Sequence, residues 1–70
     1  MTYTYERSWV EIEDMLDRAE RLQNQHYMAI HNTNDKKKKL VHMRNYKALE
    51  GVVKSLRWVL GDRRITTPLE

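Results

Sequence analysis

Five cations fall within residues 36–44: Lys36, Lys37, Lys38, Lys39 and Arg44. Such a run binds phosphate or carboxylate groups by charge. It stands directly after Asn32-Thr33-Asn34-Asp35, a turn-forming cluster that supplies an N-cap, Asn34 or Asp35, for a following helix. Lysines are poorly suited to a first helical turn, where the macrodipole is positive and favours acids by about 0.3–1 kcal/mol per charge. A helix N-terminus ringed with lysines is nevertheless an anion site. The phosphates of RNA or DNA and an acidic protein surface are the two ligands it suits. Residues 22–34 contain no acid and, histidines aside, no base, so the preceding segment cannot neutralise the run. Tyr27, Tyr46 and His31 are expected beside this tip. The competing reading is a solvated tip whose charge blunts aggregation at a loop. Nucleic-acid binding here would be steeply salt-dependent. No helix-turn-helix, zinc-finger or RNA-binding signature accompanies the run to give it base specificity.

A second group with chemical capacity is Gln23, His26, His42 and Asn45. Two imidazoles facing across a helix pair could hold zinc, and a dimer would bring four. The five-residue step from His26 to His31 suits one helix face poorly, however, and no acid stands near as a third ligand. The expectation is a hydrogen-bonded polar layer that sets register, as buried polar residues do in coiled coils, with no metal and no cofactor. Catalysis finds little footing. The acids of residues 11–20 are spread along a solvated face, and no serine or threonine stands near a base and an orienting group. The chain reads as a non-enzyme.

Two helices must position these groups. Ser8-Trp9-Val10-Glu11 fits the capping box, in which hydroxyl and carboxylate each satisfy an orphan amide. Acids follow in the early turns at Glu11, Glu13, Asp14 and Asp17, as the dipole prefers. Apolar and seam-forming residues then recur at three- and four-residue steps: Trp9, Ile12, Leu16, Ala19, Gln23, His26 and Ile30. Helix 1 is predicted over about 8–32, a turn over 32–35, and helix 2 over about 36–60 with Gly61 as its stop. The predicted stripe of helix 2 is His42, Asn45, Leu49, Val52, Leu56 and Val59. Folding about Asn34 sets Trp9 against Val59, Ile12 against Leu56, Leu16 against Val52, Ala19 against Leu49, Gln23 against Asn45 and His26 against His42. Apolar meets apolar and polar meets polar, which describes an antiparallel hairpin.

Charge agrees with that pairing. Residues 6–21 hold six acids and three arginines, net −3, whereas residues 36–60 hold eight basic residues and Glu50, net +7. The acidic part of helix 1 would lie beside Lys47, Lys54 and Arg57. Each exposed pair of this kind is worth only ~0–1 kcal/mol.

Seventy residues without cysteine make one small domain that lacks disulfide or thiolate staples. The charge of +3 gives a mild bias toward anionic partners. The polar start "MTYTYERS" does not read as a signal peptide, and no apolar run is long enough to span a bilayer. A soluble, cytoplasmic protein is expected, with residues 61–70 as a flexible tail. One seam buries too little apolar surface to hold two long helices. Met15, Leu22 and Ala29 form a flank beside the stripe of helix 1, and Leu40, Met43 and Trp58 lie off the stripe of helix 2 with Gly51 in the same row. Large apolar groups off a seam mark a further interface. The expectation is therefore an all-α hairpin that dimerises into a four-helix bundle about a two-fold axis. Association with a different protein, anchored by Trp58, is the competitor.

Leu56-Arg57-Trp58-Val59-Leu60-Gly61 resembles the C-terminal part of small phage- and prophage-encoded helical proteins. That resemblance implies an accessory product that binds a host factor. The function expected is thus protein–protein interaction and oligomerisation without catalysis. The alternative is a small dimeric nucleic-acid binder that uses Lys36–Lys39 as phosphate contacts.

Overall fold

A computed structural model describes residues 6–70 of the chain. Two α-helices, α1 (Trp9–Asn32) and α2 (Lys36–Val59), each of 24 residues, pack against one another as a hairpin. Among the described residues there is no strand.

Local chemistry fixes each end. The Ser8 hydroxyl accepts from the Glu11 amide at 3.1 Å, and the Glu11 carboxylate accepts from the Ser8 amide at 3.2 Å, so the capping box is closed. Those Ser8 hydrogen bonds, backbone first, hold the Glu11 carboxyl below its ordinary range. At the turn, Thr33 leaves the helix in an extended conformation, and its hydroxyl accepts from the Asp35 amide. Asp35 is the N-cap of α2, its Oδ1 accepting from the amides of Lys37 at 2.9 Å and Lys38 at 3.3 Å. At the far end Gly61 adopts φ +87°. Its amide donates to the Trp58 carbonyl, and the Asp62 amide donates to the Arg57 carbonyl, each at 3.0 Å. This pair of bonds is a Schellman closure, which needs a left-handed residue where glycine stands.

Within the tail expected over 61–70, residues 62–65 are joined by local hydrogen bonds. The Asp62 carboxylate accepts from the amide, Nε and Nη2 of Arg64, the last at 2.7 Å. The Ile65 amide donates to the Asp62 carbonyl, and Ile65, Thr67 and Pro68 are half-buried.

The seam of α1 is the expected one from Ile12 to Ile30, but α2 presents a different phase of its stripe. Val53 is 6% exposed, whereas Val52 is 43% exposed. Tyr46 and Leu60 are half-buried, whereas Asn45 and Val59 are exposed. The inward row is therefore His42, Tyr46, Leu49, Val53, Leu56 and Leu60. Both phases satisfy helical spacing. The observed one turns Tyr46 inward and the polar Asn45 outward, and so removes more apolar surface from water. It also overturns the expected pairing at the open end: with Val59 turned away, Trp9 is 65% exposed.

The resulting core is thin. Only Ala19 and Val53 are buried among the described residues, and no side chain is fully enclosed. Among the described residues one ion pair crosses the seam, Arg57 to Glu20 at 3.3 Å. The others lie within α1 (Arg18–Asp14, Arg21–Asp17), across its start (Arg7–Glu11), within α2 (Lys47–Glu50) or in the tail (Arg64–Asp62). No helix among the described residues is long and apolar enough to cross a membrane.

Candidate functional site

The hairpin is a single layer two helices wide, so every residue off the seam faces one side or the other. Cross-helix contacts identify the sides. Tyr27 meets Tyr46 with ring centroids 6.0 Å apart, and Glu20 meets Arg57. Both contacts lie on one side, called here the aromatic face. Met43 is on this face too, since it lines a hollow with Tyr27, His31 and Tyr46.

Residues on the other flank of α1 are Met15, Leu22 and Ala29, spaced seven apart and therefore in one row. Opposite them α2 presents Val41, Asn45, Ala48, Val52, Ser55 and Val59 on that side of its seam. A depression of about 420 Å³ between Met15, Ile12 and Leu56 opens on this side, rimmed by Arg7, Glu11, Asp14 and Arg18. This second face is largely apolar across both helices. Its polar groups are Asn45, whose amide donates to the Val41 carbonyl at 3.0 Å within its own helix, Ser55 of α2, and Glu11, Arg18 and Gln25 along the edge of α1.

The seven residues expected to form one interface are thus divided. Met15, Leu22 and Ala29 lie on the apolar face, and Met43 lies on the aromatic face. Leu40, Gly51 and Trp58 form a row on the outer edge of α2, beside Lys47 and Lys54. All are exposed except the half-buried Ala29. A single flat partner cannot cover both faces. The change of phase in α2 is the reason. Sequence reasoning missed Val41, Ala48, Val52 and Val59 as surface residues. Their spacing of seven between 41 and 48, and again between 52 and 59, was the signal available.

At the tip, Lys36–Lys39 are exposed, and among the described residues neither they nor Arg44 has a carboxylate within ion-pair distance. The helix N-terminus itself is occupied, because Asp35 takes the amides of Lys37 and Lys38. Any anion there would meet lysine side chains and not backbone amides. Four consecutive helical residues step 100° apart, so the lysines radiate around the axis and do not form one patch. Lys36 and Lys39, seven and four residues before Met43, share its side. Arg44 points to the outer edge instead.

Of the expected polar layer, His26 and His42 touch, Nδ1 to Nδ1 at 2.9 Å with ring centroids 5.2 Å apart. One ring must donate and the other accept. Gln23 is half-buried nearby, whereas Asn45 stands outside the seam and its place is taken by Tyr46. His31 instead meets Tyr27 edge to face, with centroids 4.6 Å apart. Among the described residues, no three side chains of the metal-ligating types are gathered together.

Comparison with family models, with curated proteins and with solved structures gave no significant match.

Proposed function

We propose that this chain is a non-catalytic interaction module that self-associates, two hairpins stacking their apolar faces into a four-helix bundle. One observation carries the reading: Met15, Leu22 and Ala29 of α1 and Val41, Ala48, Val52 and Val59 of α2 lie on one side of a hairpin that buries only Ala19 and Val53. Such a core is too small for a chain of this length to hold two helices by itself.

The dimensions support a second copy as the occupant. A 24-residue helix is roughly 36 Å long, and two side by side are roughly 20 Å wide. Each copy then offers about 700 Å², close to the standard ~800 Å² per partner of a stable interface. Asn45 already bonds to Val41, so covering it leaves less unsatisfied, and a buried Asn at a bundle interface selects register. The charged residues flanking this face, Glu11 and Arg18, already pair with Arg7 and Asp14.

Light scattering across a concentration series tests the reading. A two-chain mass at micromolar concentration is expected, with helix content falling on dilution. A monodisperse monomer that keeps full helix content would overturn it. A monomer that becomes ordered only with a foreign protein would place that partner on the same face.

A further inference from the structure

We propose that the hollow framed by Tyr27, His31 and Tyr46 binds single-stranded nucleic acid, a base stacking on the rings while Lys36 and Lys39 hold adjacent phosphates. The inference concerns the face opposite the proposed association surface, so it stands or falls separately.

Three rings gather there without closing a core. Tyr27 meets His31 at 4.6 Å and 66°, and Tyr46 at 6.0 Å and 41°, yet Tyr27 remains exposed. A hollow of about 280 Å³ opens beside them, floored by Ile30 and Met43 and edged by Lys47. Its walls are apolar and aromatic, as a flat heterocycle requires. A second hollow of about 390 Å³ shares Tyr27 and Tyr46 and adds the amides of Gln23 and Asn24 and the carboxylate of Glu20, which Arg57 engages. Those amides carry both donors and acceptors for the edge of a stacked base.

Charge supplies the rest. Lys36 and Lys39 project on the Met43 side and have no carboxylate partner among the described residues. Of the acids on this face, the two nearest the rings are already engaged, Glu50 with Lys47 at 3.5 Å and Glu20 with Arg57 at 3.3 Å, while Glu13, seven residues before Glu20, lies about four turns from Tyr27. Aromatic platforms flanked by cations are how single strands are held without sequence preference. A duplex keeps its bases stacked inside and cannot use the rings. An acidic peptide would satisfy the lysines but leave the aromatic hollow empty.

The test uses the full chain and fluorescein-labelled homopolymeric RNA, single-stranded DNA and duplex DNA, read by anisotropy at several salt concentrations. Both single strands are expected to bind more tightly than the duplex, and preference between them tells whether the ribose hydroxyl is sensed. Tyr27→Leu keeps the apolar bulk and removes the ring. It should weaken binding roughly tenfold or more, whereas Tyr27→Trp should retain it. Joint Lys36→Gln and Lys39→Gln substitution should make the salt dependence shallower by about 1.4 in logarithmic slope. Circular dichroism of each variant checks that the helices persist. The proposal is overturned by absence of binding at low salt, by equal affinity for duplex, or by Tyr27→Leu binding like the parent. Competition by a poly-glutamate peptide as effective as the oligonucleotide would also overturn it, and would assign the lysines to an acidic protein.

Discussion

Leu22 and Met43 stand on opposite faces of the hairpin, although both are nearly half exposed (45% and 46%) and both lie just off the seam. Leu22 shares its row with Met15 and Ala29, whereas Met43 lines the hollow beneath Tyr27 and Tyr46. The same substitution at the two positions should therefore report on different surfaces. Leu22→Glu places a charge in the proposed bundle interface and should raise the dimer dissociation constant at least tenfold, equivalent to about 1.4 kcal/mol. Met43→Glu should leave the mass by light scattering unchanged. Equal disruption by both would show that association does not use one face.

Val52 and Val53 test the phase of α2. Val53 contributes to the seam of each hairpin, so Val53→Ala should cost about 1–3 kcal/mol and lower the thermal midpoint at every protein concentration. Val52→Ala should act through association and steepen the concentration dependence of the midpoint. If Val52 proved the costlier truncation at all concentrations, the seam would have to be the one first read from the stripe.

The two glycines should respond to alanine with opposite signs. A Cβ at Gly51 meets nothing within 4 Å, so Gly51→Ala in mid-helix should stabilise the chain by about 0.4–1 kcal/mol. Gly61 has φ +87°, where a Cβ is strained, and Gly61→Ala should destabilise by about 1 kcal/mol. Thermal melts of the two variants under identical conditions decide it. A destabilising Gly51→Ala would point to close approach by another chain at the outer edge of α2.

Acid should loosen the C-terminal turn. The Arg64 hydrogen bonds, side chain first and backbone second, hold the Asp62 carboxyl down to about 2, and Asp62 in turn raises Arg64. A carboxyl lowered on folding stabilises the folded form above its ordinary value of 3.8 and loses that contribution as pH falls toward 2. Glu11 is lowered as well, by its Ser8 bonds, so the start of α1 should weaken in the same direction on acidification. A carboxyl-detected NMR titration should place the Asp62 midpoint near 2, and Arg64→Gln should move it upward. A midpoint at the ordinary value in the parent chain would remove the clasp.

The contact between His26 and His42 is the seam feature most directly readable from residue types, and it appears as the pairing about Asn34 requires. Double substitution to alanine, compared with each single change, should give a coupling of about 0.5–1.5 kcal/mol.

Much of this architecture is written locally. Ser8 with Glu11, Asp35 before the lysines, and Gly61 after Leu60 each satisfy backbone groups within a few residues, so the helix limits need no tertiary information. The thin core is legible for the same reason, because the apolar inventory is a matter of counting. What packing alone decided is which of two adjacent rows of α2 turns inward. Asn45, Val52 and Val59 satisfy helical spacing as well as Tyr46, Val53 and Leu60, and only contact with α1 distinguishes the two stripes, which share His42, Leu49 and Leu56 and differ by about 50° of rotation about the helix axis. That choice sent Met43 to the ring cluster, put Val41, Val52 and Val59 beside Leu22, and thereby drew both candidate surfaces.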